Sequence, residues 1–150
     1  MALPADLVDG LTGEWHGTYG LWLEPGTPMR ECETDARIDP VLDGRLLQLR
    51  YSWSFDGERQ EGVALLGRNG EGVYQMAWTD SWHNGDTIMF CTGDGPEPTV
   101  TGTYAESEGP WRWRTEFAVV DEDHIVVTAT NISPDGEEAK ATEAAYTRVR

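Results

Sequence analysis

The stretch RLLQLRYSWSFDG, residues 45–57, decides the fold, because its side chains alternate between two faces and then end in a turn pair. One face carries large apolar residues: Leu47, Leu49, Tyr51, Trp53 and Phe55. The other face is mostly polar: Leu46, Gln48, Arg50, Ser52 and Ser54. A period of two is typical of a half-buried β-strand. The closing Asp56-Gly57 pair favours the positive φ angles of a tight hairpin, so the strand is predicted to fold back.

Turn pairs of this kind recur along the whole chain, and the segments between them have the length of strands. They are Asp43-Gly44, Asp56-Gly57, Asn69-Gly70, Glu71-Gly72, Asn84-Gly85, Asp94-Gly95 and Asp135-Gly136. The pattern predicts about ten strands, at residues 13–24, 29–39, 45–55, 59–68, 73–82, 86–92, 98–104, 111–120, 124–132 and 137–148. A short helical turn around Asp6–Asp9 precedes them.

The regular meander predicts an all-β fold, an antiparallel up-and-down β-barrel formed by a single domain over residues 1–150. Its inward faces are aromatic, as in the sets Tyr74, Met76, Trp78, Asp80, Trp82 and Trp111, Trp113, Thr115, Phe117, Val119. Ten strands enclose more space than the eight that side chains just fill. Seven tryptophans are available, so the aromatic face is either the lining of a cavity or a filled core.

The charge of the chain disfavours whole classes of partner. The formal net charge is −16, and one lysine stands beside ten arginines, so the surface should repel nucleic acid and anionic membranes. No apolar run is long enough to span a bilayer. The first residues, MALPAD, lack the basic region and apolar stretch of a secretory signal, so we expect a cytoplasmic protein. A homodimer is compatible with these features.

Several motifs resemble known β-barrels. Gly13-Glu14-Trp15-His16-Gly17 opens the first strand, Gly44-Arg45 the third, and YQMAWTDS follows at residues 74–81, with Tyr146-Thr147-Arg148 at the end. This order resembles a bacterial family named domain of unknown function fifteen seventy-nine over residues 7–148, although Arg68-Asn69 stands where that family tends to Tyr-Asp. The Gly-x-Trp motif resembles the motif in the first strand of the calycins, which comprise lipocalins, fatty-acid-binding proteins, avidins and nitrobindin-like barrels. The resemblance implies a calycin-like barrel without an established activity.

In calycins the tryptophan of this motif closes one end of the barrel, and an arginine near the chain end packs across it. The resemblance therefore implies a structural closure by Trp15 and Arg148. Fatty-acid-binding proteins hold a carboxylate with an arginine and a tyrosine on the last strand, and here Tyr146 and Arg148 share a face. We prefer the closing role for Arg148, which leaves Tyr146 as a hydroxyl in the cavity.

Asp80 is the candidate polar group of the interior, because alternation places it beside Trp78 on an inward face. A buried carboxylate needs a cation, hydrogen-bond donors or water. Arg45 is predicted to face inward and to pair with it. If the pair is structural, Asp80 is part of a salt bridge. If it is functional, Asp80 anchors a ligand or acts as an acid or base.

The remaining chemistry-bearing residues give weaker signals. His83 is predicted to be a water-exposed histidine at the barrel rim, three residues from Asp80 and on the opposite strand face. His16 should face outward, and His124 should pair with Asp121 or Asp123. The sequence contains no catalytic triad order, phosphate loop or zinc spacing, so no catalytic residue, metal or cofactor is predicted, although an inward histidine would suit haem.

These residues together favour a non-enzymatic protein that binds a small hydrophobic or amphipathic molecule inside the barrel. The predicted ligand-binding residues are Tyr51, Trp53, Trp78, Asp80, Trp113 and Tyr146. Two alternatives remain open: a cofactor-independent enzyme with Asp80 as acid or base, and a filled barrel that acts only through protein contacts.

Overall fold

The computed structural model describes residues 1–106 and 109–150, over which the chain forms one helix and ten strands. The helix α1 covers Ala5–Leu11. The strands are β1 Gly13–Leu21, β2 Arg30–Val41, β3 Leu46–Phe55, β4 Glu58–Arg68, β5 Tyr74–Asp80, β6 Met89–Thr92, β7 Thr99–Glu106, β8 Gly109–Asp121, β9 His124–Ile132 and β10 Glu138–Arg148. In the described part of the chain, no helix is long and apolar enough to cross a membrane.

Each strand pairs with its neighbour in sequence, and β1 pairs with β10, so the sheet closes into a barrel. All pairs are antiparallel. The predicted all-β meander barrel of ten strands is therefore confirmed. The clearest departures lie around β5 and β6, which end earlier and begin later than predicted, so that residues 81–88 form a long connection.

The barrel has one end closed by the N-terminal segment, which we call the closed end. Leu3, Leu7 and Leu11 are buried there, and Trp15 is 1% exposed. The Trp15 indole N–H donates to the Leu11 carbonyl at 2.9 Å. Helix α1 thus puts its apolar face over the barrel interior, and Trp15 ties the helix to β1.

Arg148 completes the closed end. Its guanidinium carbon lies 4.4 Å from the centre of the Trp15 ring. The guanidinium also donates to the carbonyl oxygens of Glu122 at 2.8 Å, Thr12 at 2.5 Å and Gly10 at 3.3 Å. Because the guanidinium of Arg148 uses its N–H donors at the closed end, it places no positive charge in the barrel interior.

The surroundings of Gly13 explain why the Gly-x-Trp motif begins with glycine. Its φ is +142°, which side chains rarely adopt, and a Cβ atom there would lie 2.6 Å from Nη1 of Arg148. The motif therefore needs glycine because the guanidinium lies directly over this backbone position.

Replacing Arg148 with alanine should lower the free energy of unfolding by about 1–3 kcal/mol, because three carbonyls lose a donor and Trp15 loses its cover. Chemical denaturation of both proteins measures the difference. Arg150→Ala is the matched control, since the exposed Arg150 pairs with Asp123 at the surface and its loss should lower stability much less than the loss of Arg148. Equal effects of the two substitutions would contradict the closing role.

Candidate functional site

The interior of the barrel contains a small cavity. Its volume is about 50 Å³, which suffices for very few water molecules and is well below the size of ligand pockets. Its lining consists mainly of apolar and aromatic side chains from most of the strands: Tyr19, Leu49, Tyr51, Ala64, Met76, Trp78, Trp113, Thr115, Phe117, Val127, Ala129, Thr142, Ala144 and Tyr146. The aromatic side chains therefore fill most of the barrel axis themselves.

The predicted binding residues separate into two groups. Tyr51, Trp78, Trp113 and Tyr146 line this inner cavity, whereas Trp53 and Asp80 do not. The Tyr146 hydroxyl lies 3.1 Å from Thr34 Oγ1, and burial raises the pKa of Tyr146 to about 12. Trp53 instead stacks on Tyr19, with ring centres 4.5 Å apart.

Asp80 lies at the end of β5 that faces away from the closed end, and it is 1% exposed. We call this end of the barrel the mouth. Oδ2 accepts hydrogen bonds from the Tyr51 hydroxyl at 2.6 Å and the Trp53 indole N–H at 3.1 Å. Oδ1 accepts the backbone N–H groups of Trp82 at 2.9 Å and His83 at 3.0 Å. Four donors thus satisfy the carboxylate.

The predicted pairing of Asp80 with Arg45 is wrong. Arg45 is exposed in the turn between β2 and β3, where its Nε donates to the Leu42 carbonyl at 2.9 Å. Strand β3 begins at Leu46, after this turn, so the alternation of inward and outward side chains along β3 does not extend to Arg45. Hydrogen-bond donors replace the expected cation, which is the other way to stabilise a buried carboxylate.

Asp80 belongs to a chain of aromatic hydrogen bonds at the mouth. The Trp78 indole N–H donates to the Tyr51 hydroxyl at 2.9 Å, and that hydroxyl donates to Asp80. Burial, and then the charge of Asp80, raise the pKa of Tyr51 well above 10.0, so it remains a donor at neutral pH. Gly62 makes room for this ring, since a Cβ atom there would lie 2.0 Å from the Tyr51 Cζ atom.

The prediction of a water-exposed His83 on the face opposite Asp80 is also wrong. The strand ends at Asp80, and the chain then turns so that the imidazole lies over the mouth among four tryptophans. Its centre is 5.5 Å from Trp53, 6.0 Å from Trp78, 4.8 Å from Trp82 and 5.1 Å from Trp113. Nε2 lies 3.1 Å from the Tyr19 hydroxyl. His83 is half-buried, and its ring covers part of the mouth.

The stability of the protein should depend on pH through His83. Burial lowers the pKa of His83 below its ordinary value of 6.5, although the nearby Asp80 carboxylate partly offsets this. Between the two pKa values the unfolded chain binds more protons than the folded one, so stability falls as pH falls below about 6.5. The slope contributed by one such group is at most about 1.4 kcal/mol per pH unit.

Denaturation between neutral pH and the onset of acid unfolding, compared for the wild type and His83→Gln, isolates this contribution. His16 acts in the opposite direction, because its hydrogen bond to Asp35 raises its pKa, but it is present in both proteins. The variant should lose less stability than the wild type as the pH falls. Parallel curves would contradict the burial of a neutral His83.

A larger space opens beside the mouth, where two neighbouring strands of the barrel share few paired residues. Strand β6 pairs with β7 at only two positions, Cys91 with Gly102 and Thr92 with Thr101. Beyond them the strands diverge and leave a groove of about 670 Å³, which is within the range of ligand pockets. Its lining comprises Trp78, His83, Asn84, Thr87, Ile88, Met89, Phe90, Thr103, Tyr104, Trp113 and Asn131. We call this space the mouth groove.

The mouth groove and the inner cavity share Trp78 and Trp113 as walls. These two rings stack with centres 5.3 Å apart and planes within 13°. Apart from His83, the sequence gives no signal for the groove residues of the 83–90 segment, because they lie in a turn and on the short β6, where alternation carries little information. The Asn84-Gly85 pair indicated only the turn.

The other histidines and the cysteines contribute no site. His16 pairs with Asp35 and His124 with Asp121 on the exposed surface, each at 2.8 Å, and the latter pairing was predicted. Cys32 and Cys91 are not bonded to each other. Residues 1–106 and 109–150 bring no cluster of three or more potential metal-binding side chains together.

Comparison with known proteins gives a family and a fold. Residues 5–148 match the model of the family described as Protein of unknown function (DUF1579). The chain belongs to this family. No curated protein matches the sequence. Among solved structures, the family member resembles the S-type phycobiliprotein lyase CPES from Guillardia theta, with a TM-score of 0.56 and 12% identity over 97% of this chain and 92% of the other. At that identity the likeness concerns the fold alone.

Proposed function

We propose that the protein binds a small hydrophobic or amphipathic molecule in the mouth groove, with the apolar part of the molecule against Trp78 and Trp113. The observation that carries this proposal is the size and wall of the groove. A space of about 670 Å³ with aromatic rings and a few polar side chains has the character of a small-molecule site. A barrel fold shared with a phycobiliprotein lyase is consistent with handling a small molecule.

The inner cavity supports this location of the ligand. At about 50 Å³ it is too small for a molecule of ordinary ligand size, so binding inside the barrel axis would require the aromatic rings to move. Tyr51 and Tyr146 line that inner space, and we place them behind the ligand rather than in contact with it. Binding therefore depends on the groove outside the Trp78–Trp113 pair.

The hydrogen bonds of Asp80 argue against the enzymatic alternative. A general acid or base needs a free lone pair or proton that faces the substrate. The Asp80 carboxylate is directed to Tyr51, Trp53 and the backbone of the turn, and it lines neither the inner cavity nor the mouth groove. We therefore assign Asp80 a structural role at the mouth.

A fluorescence titration with Nile red tests the proposal. This uncharged dye emits strongly in apolar surroundings, and its emission should rise saturably with a stoichiometry near one, because ligand sites are few per protein. Native mass spectrometry of freshly purified protein then searches for a co-purified molecule. A folded protein, by circular dichroism, that gives no saturable emission change would overturn the proposed function.

A further inference from the structure

The mouth groove has a neutral lining. Within the described part of the chain, none of its lining residues is an aspartate, a glutamate, a lysine or an arginine. Its polar residues other than the histidine are Asn84, Thr87, Thr103, Tyr104 and Asn131. His83 is also neutral at pH 7, because burial lowers the pKa of its imidazole below the ordinary value of 6.5. The groove thus presents polar side chains to a ligand without presenting a charge.

The arginine of the last strand that could have received a carboxylate lies at the other end of the barrel. Arg148 donates to backbone carbonyls of the closed end and covers the Trp15 ring. A carboxylate that enters the mouth groove would lose water and find no positive charge in return. The anionic form of a ligand should therefore bind less tightly than a neutral counterpart of the same shape.

A negative charge lies behind one wall of the groove. The Asp80 carboxylate accepts the backbone N–H of His83 at 3.0 Å, and its side-chain donors, the Tyr51 hydroxyl and the Trp53 indole, are uncharged. These hydrogen bonds satisfy the carboxylate but do not cancel its charge. Its field reaches the imidazole that lines the groove, since it partly offsets the effect of burial on the pKa of His83. An anion beside His83 would be repelled by the same charge.

We propose that the mouth groove selects its ligand by charge: it takes an uncharged amphipathic molecule whose polar part is a neutral group, such as an amide or a hydroxyl, and it rejects carboxylates. The proposal rests on the proposed function, since it assumes that the groove is the binding site. Fatty acids, which an apolar site in a barrel could otherwise hold, fall outside the preferred class. The net charge of −16 acts in the same direction, because it repels anions as they approach.

Two naphthalenes of nearly the same shape test the proposal. 2-Naphthamide is uncharged, whereas 2-naphthoate is anionic at pH 7. Displacement of Nile red and calorimetry measure their dissociation constants on the folded protein. We expect the amide to bind at least about tenfold more tightly than the carboxylate. Equal affinities, or tighter binding of the carboxylate, would overturn the inference while the proposed function stands.

A cation introduced into the groove should weaken this selection. Thr103 lines the groove and is exposed, so an arginine at this position can extend along the groove and remain in contact with water. Thr103→Arg should tighten the binding of 2-naphthoate about fivefold or more and reduce the preference for the amide. Thr103→Gln is the matched control, because it adds a long polar side chain without a charge, and it should keep the preference of the wild type.

The two variants also define the results that would contradict charge selection. The same preference for the amide in Thr103→Arg and Thr103→Gln, both folded by circular dichroism, would overturn the inference. A protein that binds Nile red but not the amide would overturn it as well, and in both cases the proposed function stands. If the folded protein bound neither Nile red nor either naphthalene, the inference and the proposed function would both fail.

Discussion

Replacement of Asp80 by alanine is expected to lower the free energy of unfolding by about 4 kcal/mol or more, the largest effect of a single substitution that we predict. The carboxylate accepts hydrogen bonds from the Tyr51 hydroxyl, the Trp53 indole and two backbone N–H groups. Alanine would leave these buried donors unmatched, at a cost of about 1–3 kcal/mol for each that water cannot reach. It would also release the turn that brings His83 over the mouth.

Chemical denaturation of Asp80→Ala, Asp80→Asn and Asp86→Ala measures this role. The asparagine variant keeps one acceptor oxygen, so it should fall between the wild type and the alanine variant. Asp86 lies exposed on the same turn, and its replacement should change stability by about 0.5 kcal/mol or less. The outcome that would contradict this role is an Asp80→Ala protein that is as stable as Asp86→Ala and differs only in ligand selectivity. Such a result would support the interpretation of Asp80 as a ligand anchor.

The second large effect concerns binding. Met89→Trp should weaken Nile red binding at least about tenfold, because the indole would occupy the space beside Trp78 that the ligand needs. Met89 is half-buried and lines the groove, so the larger side chain should extend into the groove, and circular dichroism checks that the fold persists. The emission of the dye reports binding independently of the added tryptophan.

Val63→Trp is the matched control for the groove. Val63 is exposed on β4 and does not line the groove, so a tryptophan there adds the same side chain at a position that the ligand does not reach. This variant should bind the dye like the wild type. Equal loss of binding in both variants would show that the dye binds elsewhere.

The barrel itself could be predicted from the sequence because its signals are local. Alternation along residues 45–55 and the Asp-Gly pairs act within a few residues, and the structure places Leu47 and Trp53 in the core accordingly. Trp82 shows where this reasoning fails. It continues the alternation of β5, yet it is 38% exposed, because the Asp80 carboxylate accepts from the backbone N–H groups of Trp82 and His83 and the strand ends there.

The site could be predicted only in part, because its parts meet through long-range packing. Trp78 and Trp113 were correctly assigned to inward faces, but their stacking depends on the closure of the barrel. The mouth groove depends on how few residues β6 shares with β7, and strand length was the least certain feature of the pattern. Asn84 carried only the signal of a turn, so its place in the wall of the mouth groove became visible with the structure.

The most direct test of ligand binding in the mouth groove is a titration of ¹⁵N-labelled protein with 2-naphthol, a small uncharged amphipathic probe, followed through the indole N–H signals of the seven tryptophans of the protein. Single tryptophan-to-phenylalanine variants assign the signals. We predict that the signals of Trp78 and Trp113 shift with saturation, while the signal of Trp15 at the closed end stays unchanged. Saturable shifts confined to Trp15, or to Trp22 and Trp111, which line a separate surface pocket, would contradict binding in the mouth groove.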